Sequence, residues 1–158
     1  MRSLLVLCLS FVTAWAAPAS RPPNVLVILV DDLGYSDLGC YGGEIATPNI
    51  DRLAAGGVRF EKSYNSARCC PTRASLLTGL HPHEAGVGDF VSAKPSPTRG
   101  SAYTGHLLPD NLTLAELLKR SGYSTWMVGK WHMGVPGPMD RGFQHYFGYK
   151  DFGAHSEG

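Results

Sequence analysis

No sign of charge predominates in this sequence: 14 Lys and Arg stand against 13 Asp and Glu, a formal net charge of +1. A cationic surface for nucleic acid needs Lys and Arg clustered against phosphates, and the overall balance provides no such excess. Charged residues make up only 17% of the chain and hydrophobic residues 44%. That excludes a disordered, charge-rich polypeptide, because there is enough apolar surface to offset chain entropy. Cysteine is sparse, 4 in 158 residues, and no Cys-x-x-Cys pair occurs, which argues against a zinc ribbon. Beyond the first residues no apolar run is long enough to span a bilayer, and there is no internal repeat. The length suits one domain, or less than one complete domain.

What is present begins with a targeting pattern. Met1-Arg2-Ser3 is a short positive segment, Leu4 to Ala14 is apolar, and Ala14-Trp15-Ala16 fits a small-x-small cleavage site before Ala17. The competing readings are an uncleaved anchor and an ordinary core helix. The apolar stretch is short for a span, and Pro-rich residues follow it at once. We therefore expect residues 1–16 to be a signal peptide and the protein to enter the secretory pathway, with periplasmic, extracellular and lysosomal destinations all open. Losing Cys8 leaves Cys40, Cys69 and Cys70, an odd number that cannot pair completely. Adjacent Cys69 and Cys70 are poorly placed to bond each other.

The rest reads as α/β. Asn24 to Val30 is a continuous apolar, β-branched run, expected to be a central strand buried on both faces, and it ends at Asp31-Asp32. Ligand crevices of open α/β sheets lie at that end of a strand. Thr47-Pro48 opens a helix that Gly56-Gly57 stops. Val58 to Tyr64 alternates as a strand. Pro71 and Gly79 bracket another helix, with Cys69 expected just outside its N-terminus. Val87 to Leu108, rich in Gly, Pro, Ser and Thr, is expected to be a long surface loop that helps to shape a pocket. Thr113 and Glu116 form a capping box for a helix ended by Gly122. Ser124 to Val128 is a second buried strand, running into Gly129-Lys130-Trp131-His132. Strands alternating with helices predict a mostly parallel sheet flanked by helices.

Three clusters carry chemistry. Asp31-Asp32 offers hard oxygens for Ca²⁺ or Mg²⁺, or else forms a solvated turn or a helix cap. Lys130 and His132 are placed on one side of a strand end by alternation, or else are a surface lysine and a satisfied core histidine. In Cys69-Cys70-Pro71-Thr72-Arg73, one helical turn brings Arg73 back towards Cys69, where a cation and a helix N-terminus favour a thiolate or another anion. The alternative is two small buried hydrophobes and an exposed arginine.

Together these blocks resemble the sulfatase family, the formylglycine-dependent branch of the alkaline-phosphatase-like superfamily. Cys69-x-Pro71-x-Arg73, followed by Ala-Ser-Leu-Leu-Thr78-Gly79, is similar to the family's modification signature. Asn24 to Gly34 resembles its first strand and metal pair. Thr47 to Leu53, Gly129 to Gly134 and Arg141-Gly142-Phe143 resemble further blocks, so the likeness runs over nearly all of Pro23 to Gly148.

The resemblance implies a sulfuric ester hydrolase acting on an aryl or carbohydrate sulfate. Its nucleophile would be the diol of a Cα-formylglycine that a formylglycine-generating enzyme makes from Cys69, while Cys70 stays unmodified. Asp31, Asp32 and the oxygen at position 69 would bind a divalent metal, expected to be Ca²⁺. Arg73 would hold the hydrated side chain, Lys130 would bridge nucleophile and sulfate, and His132 would help remove the diol proton. His155 is a candidate on the substrate side. Family members use further metal ligands, a histidine and a lysine beyond this length, so residues 17–158 are expected to be the N-terminal part of a catalytic domain, inactive alone. The same nucleophile serves phosphonate monoester and phosphodiester hydrolases of the superfamily, which remain an alternative reading, as does a non-catalytic fragment.

Overall fold

The computed structural model describes residues 21–91 and 99–149, and the backbone of 155–157. The expected signal peptide lies outside the described residues. The chain divides into two units, Met1–Leu33 and Gly34–Gly158.

In the first unit, residues 24–30 carry no strand, and their apolar side chains are exposed, Leu26 at 83%. This corrects the buried central strand expected there. A strand exists through its backbone ladder, and a run apolar on both faces needs a neighbour on each side. The run closes in a turn at Asp31-Asp32, where Asp32 takes a left-handed φ of 54°.

The second unit opens with 3₁₀ turns at Tyr35–Asp37 and Gly39–Tyr41 and continues with helix α1, Pro48–Gly56. Thr47 precedes α1, as its sequence position suggests, but its hydroxyl does not cap the helix. It accepts from the Gly39 amide at 2.9 Å and donates to Asp51 at 2.8 Å, tying the 3₁₀ turn to the helix. Val58 to Tyr64 is irregular and exposed, another departure from the expected strands.

Helix α2 spans Cys69–Thr78 and stops at Gly79, whose φ of +70° an L side chain resists. Helix α3 spans Leu114–Arg120. Its capping box is present: the Thr113 amide donates to Glu116 at 2.7 Å, and the Glu116 amide donates to the Thr113 hydroxyl at 3.1 Å. Strands β1 (Trp126–Lys130), β2 (His145–Tyr149) and β3 (His155–Glu157) form one sheet in that order. β1 pairs with β2 in parallel, Trp126 opposite His145 and Lys130 opposite Tyr149, whereas β3 is antiparallel to β2. The sheet is thus a small, mixed version of the predicted one. Trp126, Val128 and Phe147 are exposed on one of its faces, so β1 is covered on one side only.

The core is built from Cys70 and Ala74 of α2, Ala85, Val87 and Leu107, and Trp131 and Met133 just after β1. Val87 and Leu107 correct the surface-loop expectation for residues 87–108. The two ends of that segment fold onto each other, with the Leu108 amide donating to Ala85 at 3.1 Å and the Gly88 amide to Ala102 at 2.9 Å. Gly134 allows the turn after β1 to dock here, since a Cβ would lie 2.5 Å from the Gly105 carbonyl.

Candidate active site

The first turn of α2 sets the site. Cys69 is the first helical residue and not, as expected, just outside it. Its amide and that of Cys70 belong to the helix end, where unpaired N–H groups and the macrodipole favour negative charge. Pro71 has no N–H to leave unsatisfied. Cys70 is fully buried and Cys69 partly exposed. Their sulfurs lie 4.0 Å apart, and the Val91 amide donates to the Cys70 sulfur at 3.5 Å. Burial pushes the Cys70 thiol up to about 11, and the neighbouring Cys69 pushes in the same direction.

Arg73 joins this turn to the end of β1. It is buried, and its Nη1 donates to the Lys130 carbonyl at 2.5 Å. The guanidinium charge strengthens such a bond. Lys130 is half-buried at the last position of β1. Strand alternation does not carry on to His132 as the sequence suggests, because His132 turns through a left-handed φ of 55° and is 2% exposed. That turn nevertheless delivers the imidazole to α2: one ring nitrogen and the sulfurs of Cys69 and Cys70 all lie within 4.8 Å of one another. Cys69 and His132, far apart in sequence, therefore share one small volume.

Several participants were not visible as individuals in the sequence. The Phe90 ring stands edge-on to His132, centroids 5.8 Å apart. Arg68, the residue just before α2, does not cap it but lies over Phe90 at 5.2 Å and pairs with Asp89, which also binds Arg99 at 3.0 Å. The Phe90 amide, followed by Arg99 and Arg68, holds the Asp89 carboxyl below its ordinary value. All except Arg68 belong to the segment whose composition pointed only to a pocket-shaping loop. Arg141, from the Arg141-Gly142-Phe143 block, is structural here. It is 3% exposed, pairs with Glu116 at 3.1 Å, and donates to the carbonyls of Leu108 and Asn111.

Asp31 and Asp32 belong to the first unit. Consecutive carboxylates in one turn fit a hard divalent ion by donor chemistry, supplying part of the six to eight oxygens that Ca²⁺ takes. His155 lies on β3 opposite Tyr149. Its side chain falls outside the described residues.

The family model described as sulfatase matches residues 23–157. The chain is 40% identical over 153 residues to the arylsulfatase of Klebsiella aerogenes, covering 94% of this chain and 33% of that protein. It is 44% identical to human arylsulfatase A over 136 residues, covering 82% of this chain and 25% of the relative. Among solved structures, the PsFucS1 sulfatase from Pseudoalteromonas superposes with a TM-score of 0.68 at 36% identity, covering 83% of this chain and 26% of that one. Ps i-CgsB, in complex with k-i-k-neocarrahexaose, superposes at 0.62 and 41% identity, covering 77% of this chain and 26% of that one. The chain spans between a quarter and a third of the length of these curated relatives. A match that takes in the Cys69 turn, the Lys130 to His132 segment and the Arg141 block in one ordered alignment leaves a single conclusion, that this chain belongs to the sulfatase family.

Proposed function

We propose that this chain contributes the nucleophile half of a sulfuric ester hydrolase that acts on an aryl or carbohydrate sulfate. The observation that supports it most directly is the approach of a His132 ring nitrogen to the Cys69 side chain at the start of α2. Oxidised to an aldehyde and hydrated, Cys69 would supply a nucleophilic oxygen that can take up the sulfate group and later release it, two easier steps in place of one. A Ca²⁺ held by Asp31 and Asp32 would supply Lewis-acid polarisation.

The remaining roles belong to the chain's own side chains. His132 lies within one water's reach of position 69 and would accept the proton that leaves there. Its burial keeps competing water away. Lys130 ends β1 and would meet a sulfate oxygen, a role that requires its backbone to be fixed. Arg73 supports both needs: it clamps the Lys130 carbonyl and puts a buried positive charge beside the turn that carries Cys69. The N-terminal turn of α2 adds a preorganised positive end for developing negative charge.

The glycan complex of Ps i-CgsB and the aryl specificity in the names of other relatives support sulfate esters of either class as substrate. The Leu4–Ala14 run supports passage through the secretory pathway, where a formylglycine-generating enzyme would meet Cys69. The small share of each relative that is covered supports the view that these 158 residues do not turn over substrate alone. Peptide mass spectrometry after expression in a host with the modifying enzyme tests the reading: the Cys69 peptide should carry an aldehyde. Matched aryl sulfate and phosphonate esters, given to a longer protein containing this chain, then separate sulfur from phosphorus chemistry. A thiol persisting at Cys69 in that host, or faster phosphonate turnover, overturns it.

A further inference from the structure

The sulfatase reading uses Cys69 and His132 but gives Cys70 no task, although Cys70 is a fully buried core residue whose sulfur lies 4.0 Å from that of Cys69. We propose that the chain whose Cys69 is still a thiol binds one Zn²⁺ ion through Cys69, Cys70 and His132, with the fourth position open. The three ligand atoms already lie within 4.8 Å of one another, and the two sulfurs are 4.0 Å apart. Around a tetrahedral zinc, with Zn–S near 2.3 Å and Zn–N near 2.0 Å, neighbouring ligand atoms sit roughly 3.5–3.8 Å apart. A small inward shift closes the site.

Donor chemistry selects the ion. Two thiolates and an imidazole suit zinc, whereas carboxylates such as those of Asp31 and Asp32 suit a hard cation. Charge closes as well. Zn²⁺ displaces a proton from each thiol, and the two thiolates neutralise the ion, which is what a water-poor environment requires. Burial resists ionisation of Cys70, but the ion, the helix end and the Val91 N–H directed at the Cys70 sulfur all favour the thiolate. Cys69, partly exposed, leaves an entry path and the open position. Oxidation of Cys69 to the aldehyde removes one ligand and leaves two, so zinc binding and aldehyde formation exclude each other.

The test uses the full chain with Cys69 confirmed as a thiol by intact mass. Co²⁺ is added without oxygen, with a phosphine reductant. One equivalent should produce thiolate-to-cobalt charge-transfer absorption and the intense visible bands of four-coordinate cobalt, and Zn²⁺ should displace it. Cys70→Ser and His132→Ala should each weaken binding by about 100-fold or more, at least the upper range seen when a metal site's supporting contacts are lost, while Cys40→Ser binds as the parent does. In the unaltered chain, Zn²⁺ should protect Cys69 and Cys70, but not Cys40, from alkylation read by peptide mass. No charge-transfer band at one equivalent, parental binding by Cys70→Ser, or equal alkylation with and without Zn²⁺ overturns the proposal. The outcome is independent of the sulfatase reading: an aldehyde at Cys69 with turnover can coexist with failure to bind zinc, and zinc binding can coexist with a Cys69 that is never oxidised.

Discussion

Arg73 on helix α2 and Lys130 at the end of β1 are joined by a 2.5 Å hydrogen bond from the guanidinium to the backbone carbonyl. Both partners come from blocks that the sequence marks as chemical, yet the contact is made by a side chain on one and the main chain of the other. It fixes where the strand ends, and the left-handed step that buries His132 begins just beyond it.

Replacing Arg73 should therefore cost stability as well as chemistry. Arg73→Met keeps most of the apolar stem but leaves the Lys130 carbonyl without this donor. Urea denaturation should show a loss of about 2 kcal/mol, the scale of a hydrogen bond to a charged group. Arg73→Lys should recover part of the loss, since the charge remains but the fork does not. A Met variant as stable as the parent would show that the clamp contributes nothing.

Acid stability should depend on Glu116. Burial alone raises its pKa, but the Thr113 amide and Arg141 more than offset this and hold the carboxyl below the ordinary glutamate value. A lowered folded-state pKa contributes stability that is present above the unfolded value and lost as pH falls through the folded one. Stability measured against pH should therefore fall on the acid side of the ordinary glutamate range. Glu116→Gln should flatten that fall and cost about 1 kcal/mol near neutrality through the weakened cap. An unchanged acid limb in the variant would remove Glu116 from the account.

These contacts also show what was legible beforehand. The α3 cap could be read because Thr113 and Glu116 are three residues apart and their bonding is local. The C-terminal end of α2 followed from Gly79 for the same reason, whereas its start lies at Cys69, earlier than Pro71 alone suggested. Asn24 to Val30 and Val58 to Tyr64 have strand composition but are irregular, because pairing depends on partners that no local pattern specifies. Cys69 and His132 could be named from their blocks, but their approach rests on the Arg73 clamp and on a left-handed residue that β alternation cannot anticipate. Phe90, Asp89 and Val91 looked like loop. Their roles come from long-range contacts.

Gly134 should not tolerate a side chain. Its φ is +68°, and a Cβ would press against the Gly105 carbonyl, a backbone atom with no rotamer to yield. Gly134→Ala combines left-handed strain of about 1–2 kcal/mol with a steric shift of the turn that carries Trp131 and His132. The expected result is a lower melting temperature together with weaker Co²⁺ binding at the thiol site, because that site needs His132 in register. Gly79→Ala, with a similar φ but open space around its Cβ, is the control. It should show the strain without the loss of metal. Equal effects of the two variants on cobalt binding would mean that the close approach does not position His132.

The role proposed for His132 gives the sharpest kinetic expectation. In a longer protein that carries this chain and turns over an aryl sulfate, His132→Gln should still acquire the aldehyde at Cys69, because the signature around that residue is untouched. A general base typically contributes about 10²–10⁴-fold, so kcat should fall by that factor while KM changes little. The pH dependence of kcat should lose the limb that reports the imidazole. Chelation should abolish turnover in parent and variant alike, and added Ca²⁺ should restore each to its own level, since the proposed Ca²⁺ ligands are Asp31, Asp32 and the oxygen at position 69 and not this histidine. A variant that retains parental kcat with a full complement of aldehyde would move proton removal to another group.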